Sequence, residues 1–95
     1  MLKQLLVDRR KEILGIAWKY GAVNVRVFGS VARGEDTEQS DVDLLADFDH
    51  PHSLLERVGL TLDLEELLGR QVQVVTEPAL HPLLRDSILG QAVPL

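Results

Sequence analysis

Two aspartates one residue apart, in Ser40-Asp41-Val42-Asp43-Leu44, are the residues of this chain best placed to do chemistry. On a strand, side chains two apart point the same way, so both carboxylates share a face. Like charges that close are unfavourable unless a cation sits between them. Hard oxygen ligands of this kind suit Mg²⁺, which typically takes one or two carboxylates together with substrate phosphates. A pair of such ions would activate an attacking oxygen and stabilise a leaving one. The plainer alternative is a solvated edge strand whose acids deter aggregation, and Asp47 and Asp49, near the strand's far end, are read that way.

Upstream stands Gly29-Ser30-Val31-Ala32-Arg33-Gly34, directly after an alternating apolar segment. Glycine at such a place lets the backbone turn sharply and a ligand approach closely. The N–H groups of the turn, helped by a short helix start, make a concave anion site for phosphate oxygens. Ser30 adds a hydroxyl, and Arg33 a guanidinium able to pair with phosphate. Taken alone, the segment reads more readily as a strand-ending turn, and Arg33 equally well as a solvent-facing charge. His50, His52 and His81 do not stand at metal-ligand spacing on a helix and are read as loop-surface histidines. Arg9, Arg10 and Lys11 form the wet side of a first helix. Trp18 and Tyr20 are too few for base stacking and are read as core or interface packing.

The elements that must position these groups follow from periodicity. Leu2, Leu5, Leu6, Ile13, Ile16, Ala17 and Tyr20 fall near helical spacing, giving one amphipathic helix that stops at Gly21. Residues 23–28 alternate and read as a first strand with the valines inward. Residues 29–34 are a turn containing one helical turn, and 35–40 a polar loop. Residues 41–48 alternate again as a second strand. Ser53 and Glu56 form a capping box for a helix over 54–68, with leucines on more than one face, expected to be the most buried and to end at Gly69. Residues 71–76 are a third strand. Pro78 and Pro82 frame a turn before a short helix over 83–89. The short connection between strands one and two favours an antiparallel pair, and the helical crossover to strand three a parallel one. The expected fold is therefore α+β, a three-stranded mixed sheet of order 1-2-3 with helices packed on it. Gly29-Ser30, Asp41 and Asp43, and the start of strand three near Gln73 then meet at one edge of that sheet.

Composition bounds the rest. Ninety-five residues suit one small domain, 1–95, with a modest core. A formal charge of −5 disfavours general nucleic-acid binding through phosphates, although a local site and a metal still allow one nucleotide. No apolar run approaches the roughly 20 residues that span a bilayer, so no membrane association is expected. The polar amino terminus does not suit a signal peptide. With no cysteine in the chain, a cytoplasmic protein is the natural reading.

The joined motif from Gly29 to Leu44 resembles the minimal nucleotidyltransferases of the DNA polymerase β superfamily. The likeness continues through the Leu-Glu-Glu-Leu-Leu-Gly-Arg stretch ending at Arg70, the strand after it, and Pro82-Leu83-Leu84-Arg85, covering nearly the whole chain. The resemblance implies that Gly29 and Ser30 bind a nucleoside triphosphate, with ATP the expected one; Arg33, from its place in the turn, and Ser40, beside the acids, are counted as nucleotide-binding with them. It implies that Asp41 and Asp43 are the catalytic, Mg²⁺-binding carboxylates. The implied reaction moves a nucleoside monophosphate to an acceptor hydroxyl, on another protein or on a second copy of the chain in a homo-oligomer. The resemblance further implies a small helical partner of the HEPN type, in a toxin–antitoxin pair. One position departs from the family pattern. Where active members commonly carry a third carboxylate on strand three, this chain has Gln73, which brings no negative charge and cannot act as a base. A module that binds and restrains its partner without turnover is the alternative.

Overall fold

The computed structural model describes residues 2–95. Its elements run α1 (Leu2–Asp8), α2 (Arg10–Lys19), β1 (Ala22–Phe28), α3 (Gly29–Arg33), β2 (Val42–Phe48), α4 (Leu54–Leu68), β3 (Val72–Val75), a 3-10 turn (Glu77–Ala79), α5 (Pro82–Gln91) and β4 (Val93–Pro94). The α+β class and the mixed sheet are as the periodicity indicates, with β1 and β2 antiparallel and β2 and β3 parallel.

The sheet has four strands and not three, in the order β3-β2-β1-β4. The added strand is two residues long and includes a proline, which cannot donate to a ladder, so no alternation marks it. Val93 and Pro94 pair with Val27 and Arg26, and Leu95 N–H donates to Val25 O at 3.0 Å. The expected single first helix is interrupted at Arg9, whose φ of −102° and ψ of 13° leave helical space. Backbone bonds still run across the break, from Arg9 N to Leu5 O and from Ile13 N to Arg9 O. The core stripe Leu2, Leu6, Ile13 and Ala17 therefore stays on one side.

That stripe packs with Val25, Val27, Val42, Leu44, Ala46, Val72 and Val74 of the sheet and with Leu60, Leu64 and Leu68 of α4. In β1 an irregularity lies between Val23 and Arg26, where Asn24 takes a positive φ of 52°. Such a bulge re-aims the side chains after it. Val25 and Val27 face the core, while Arg26 and Phe28 alternate away from it. The capping box is formed: Ser53 Oγ accepts from Glu56 N at 3.1 Å, and Glu56 Oε1 accepts from Ser53 N at 3.4 Å. The helix it starts buries three leucines, more than any other helix, but it is not buried on several faces. Leu54, Leu55, Val58 and Leu62 of α4 are exposed, because the sheet covers only the Leu60-Leu64-Leu68 side. Trp18 is likewise exposed and no core residue, whereas Tyr20 packs against the core and its hydroxyl donates to Asp63 at 2.7 Å. Among the described residues, no helix is long and apolar enough to cross a membrane.

Candidate active site

Strand register brings the chemistry together. Asp43 lies opposite Phe28 on one side and opposite Gln73 on the other. The residue after Phe28 is Gly29, so the glycine turn, Asp43 and Gln73 share one end of the sheet. Asp43 alternates with the core residues Val42 and Leu44 and thus projects from the opposite face. The 3-10 turn packs on β2, and Leu45, two residues before Asp47, is fully buried.

Gly29 is fixed by two independent demands. Its φ is 74°, the left-handed region in which side chains are strained, and the space where a Cβ would stand is taken by the Asp43 carboxylate. The bare Cα of residue 29 is what lets Asp43 sit against the turn. From Gly29 the chain makes the single helical turn α3, with Ser30 half-buried and Arg33 exposed at its end.

Asp41 does not lie on the strand; β2 begins at Val42, and Asp41 is exposed at the end of the loop before it. That loop is tied from outside. The left-handed Gly69, at φ 66°, ends α4 and turns the chain back. Arg70 Nη1 then donates to the carbonyl oxygens of Thr37 at 3.1 Å, Glu38 at 2.5 Å and Ser40 at 3.2 Å. Ser40 Oγ accepts from Thr37 N at 2.8 Å, so this side chain builds the loop. The parallel ladder adds Val42 N to Gln71 O at 2.9 Å. Neither Arg70 nor its three acceptors announces this role in the sequence, since the acceptors are main-chain atoms.

The electrostatics record the cost of the arrangement. Burial, and then the charge of Asp41, push the Asp43 carboxyl above the usual carboxylate range, while the Arg33 guanidinium opposes them. The pair is thus a half-buried acid beside an exposed one, both hard oxygen donors, with a like-charge repulsion that a divalent cation would relieve. Among the described residues no group of three or more His, Cys, Asp or Glu side chains converges on a metal position. Asp41 and Asp43 would hold a cation with substrate oxygens completing its shell, the arrangement Mg²⁺ accepts. Gln73 occupies the position beside Asp43 and is exposed. Asp63, Glu77 and Asp47 are engaged elsewhere: Asp63 with Tyr20 and Lys19, Glu77 with Arg85, and Asp47 with Arg26 at 3.3 Å. His50 is exposed and bonded to Asp49, and His52 stacks on Phe48 with ring centroids 3.8 Å apart. One neighbour of the turn was not foreseen at all: Gln91, from the end of α5, bonds to Gly29 N and to Arg33.

The model of the nucleotidyltransferase domain family matches residues 8–95. A protein of Methanocaldococcus jannaschii named as a candidate protein adenylyltransferase is 45% identical over 84 residues, 88% of this chain and 90% of its own. The protein adenylyltransferase MntA of Thermococcus cleftensis is 36% identical over 92 residues, 97% of this chain and 90% of its own. A solved structure described as a candidate minimal nucleotidyltransferase superposes with a TM-score of 0.86 at 48% identity, covering 98% of this chain and 95% of that one.

Two outcomes follow from this geometry. Ionising Asp43 costs more in the folded chain than in the unfolded one, so stability falls as pH rises from the unfolded carboxylate range through the raised one. Asp43→Asn is therefore expected to raise the thermal midpoint of the ligand-free protein at neutral pH, and calorimetry checks it. Arg70→Ala is expected to lose about 1–3 kcal/mol in urea unfolding, the worth of charge-assisted bonds to the backbone. Arg70→Lys should lose less than about half of that, because all three acceptors converge on one nitrogen and an ammonium also carries three donors.

Proposed function

The chain belongs to the nucleotidyltransferase domain family, and on that premise we propose that it transfers a nucleoside monophosphate from a triphosphate, ATP in first place, to a hydroxyl on a partner protein. The observation that carries this reading is the register that sets Asp43 against the bare Cα of Gly29. That proximity of the glycine turn to the acid supports reading them as one site for phosphate and metal. Gly29 N–H, Ser30 and Arg33 hold the triphosphate, and Asp41 and Asp43 hold Mg²⁺ against it. An ion held there would supply positive charge against the phosphates and the departing group.

In the step itself the acceptor oxygen bonds to the α-phosphorus while the bond from that phosphorus to the β-bridging oxygen breaks. Pyrophosphate leaves, and the hydroxyl proton passes to solvent. Catalysis of this kind rests on positioning and charge stabilisation, so a domain of this size suffices for the nucleotide half. The acceptor comes from outside. Asp47 lies roughly 13 Å along β2 from Asp43 on the same face. There an open groove of about 520 Å³, lined by Asp47, Glu77, Pro78, Leu80, Pro82 and Arg85, is suited to receive an extended segment of the partner. In this reading the partner is a small helical protein of the HEPN type, with this chain the antitoxin half of the pair, a choice supported by the family resemblance.

A second reading is favoured by Gln73. Its amide stands in register with Asp43, where a third carboxylate would bring charge and a proton acceptor. A chain with this substitution can restrain its partner by binding, with or without nucleotide, and turn nothing over.

The test is label transfer from ATP marked at the α-phosphate, with Mg²⁺ and the protein encoded next to this one. The transferase reading expects label on the neighbour, lost by at least about a hundredfold in Asp43→Asn, on the scale of removing a charge-stabilising group. Gln73→Glu is expected to raise the rate. Stable association of the two proteins with no label in either background would sink the transferase reading and leave the binding module.

A further inference from the structure

Gln91 is the last residue of α5, and its side-chain oxygen accepts two hydrogen bonds, from Gly29 N–H at 3.1 Å and from Arg33 Nη1 at 2.9 Å. Its amide nitrogen donates to Ser87 O at 3.2 Å and lies 3.4 Å from Ser87 Oγ. One oxygen taking a main-chain N–H and a guanidinium together is the arrangement a phosphate oxygen adopts. Both donors belong to the triphosphate site described above, on whose reading this inference rests. We propose that Gln91 stands in for a triphosphate oxygen in the ligand-free protein and is exchanged for it when nucleotide enters, releasing the end of α5.

The energetics favour the exchange. Gln91 offers a neutral acceptor, whereas a phosphate oxygen is charged, so the bond from Gly29 N–H becomes charge-assisted and that from the Arg33 guanidinium gains a second charge. The displaced element is lightly held. No residue from Pro82 to Gln91 is buried, Leu83 and Leu84 are exposed, and the helix packs on α3 and β1 alone among its stronger contacts. Gln91 keeps Ser87 as a partner after it leaves, so its amide is not stranded. The contact also has a use in the empty state. It satisfies Gly29 N–H and gives Arg33 an acceptor besides Glu35, which lies 3.3 Å from its Nε. The site is thereby held closed to weak anions and opened by one that brings more charge.

Because the end of α5 leads directly into β4, which pairs with β1 beside Val27, release at Gln91 is transmitted to the outermost strand of the sheet. Nucleotide binding then changes the surface that α5 presents. The groove beside Asp47 is lined at its other side by Pro82 and Arg85 of the same helix. Entry of the triphosphate and access of the acceptor segment are therefore coupled through one short helix.

Calorimetric titration of Mg·ATP into the intact chain tests the exchange, with Gln91→Ala, Gln91→Met and Gln91→Glu beside the wild type. Removing the competing oxygen is expected to tighten binding about five- to tenfold in both Ala and Met variants, the value of one modest hydrogen bond. Met, close to Gln in length, guards against a loosened α5. Glu is expected to weaken binding at least about tenfold, since its carboxylate pairs with Arg33 and repels phosphate. In the wild type, amides of 83–92 should exchange with solvent faster once Mg·ATP is bound. Unchanged or weaker binding in both Ala and Met variants, with the wild type still binding Mg·ATP, overturns the exchange and leaves the nucleotide site standing. Absence of binding in every variant overturns both.

Discussion

Two negative charges are held together at one end of this sheet, and most of what is unusual in the fold serves to keep them there. Asp43 has given up part of its hydration and carries the repulsion of Asp41, with Arg33 as partial relief. An arrangement that costs stability in the empty protein persists only where the surrounding structure over-determines it. Here the over-determination is visible. The central position of β2 fixes Asp43 between β1 and β3, the missing side chain of Gly29 makes room for its carboxylate, and Arg70 ties down the loop that ends in Asp41. In the proposed site a cation would offset that cost, because the two carboxylates that repel each other would both be attracted to a shared ion.

The parts legible in the sequence are those written in side-chain periodicity and in glycine. Alternation in Val23–Phe28 and Asp41–Phe48 located the two strands, and the short connection between them set the antiparallel pair that brings Gly29 to Asp43. The capping box at Ser53 and the glycine at 69 bounded α4. Gln73 was placed beside the acids by counting along the third strand, and the register agrees. Each of these is a local rule whose outcome the tertiary structure had no reason to override.

What was not legible depended on atoms that carry no residue identity. Arg70 holds three main-chain carbonyls, and no pattern of side chains signals such acceptors. Gln91 meets Gly29 across 62 positions, and only the folding back of α5 and β4 puts them together. The fourth strand is too short to show a period, and its proline argues against a strand. Two other features depart from the sequence pattern for a different reason. Leucines on several faces of α4 suggested deep burial, but a single sheet face covers one side of a helix, and Leu55, Val58 and Leu62 were left in solvent. The start of β2 was set one residue early, because Asp41 continues the alternation although it lies in the loop.

The central claim is that Asp41, Asp43 and the Gly29 turn form one metal–triphosphate site. Paramagnetic broadening of amide resonances by Mn²⁺, substituted for Mg²⁺ in the presence of ATP, tests it most directly. The account predicts loss of the signals of Gly29 to Val31, Asp41 to Leu44 and Gln73, with those of Leu55 to Leu62 unaffected, and recovery of the lost signals in Asp43→Asn. Broadening centred elsewhere, or left unchanged by that substitution, would contradict it.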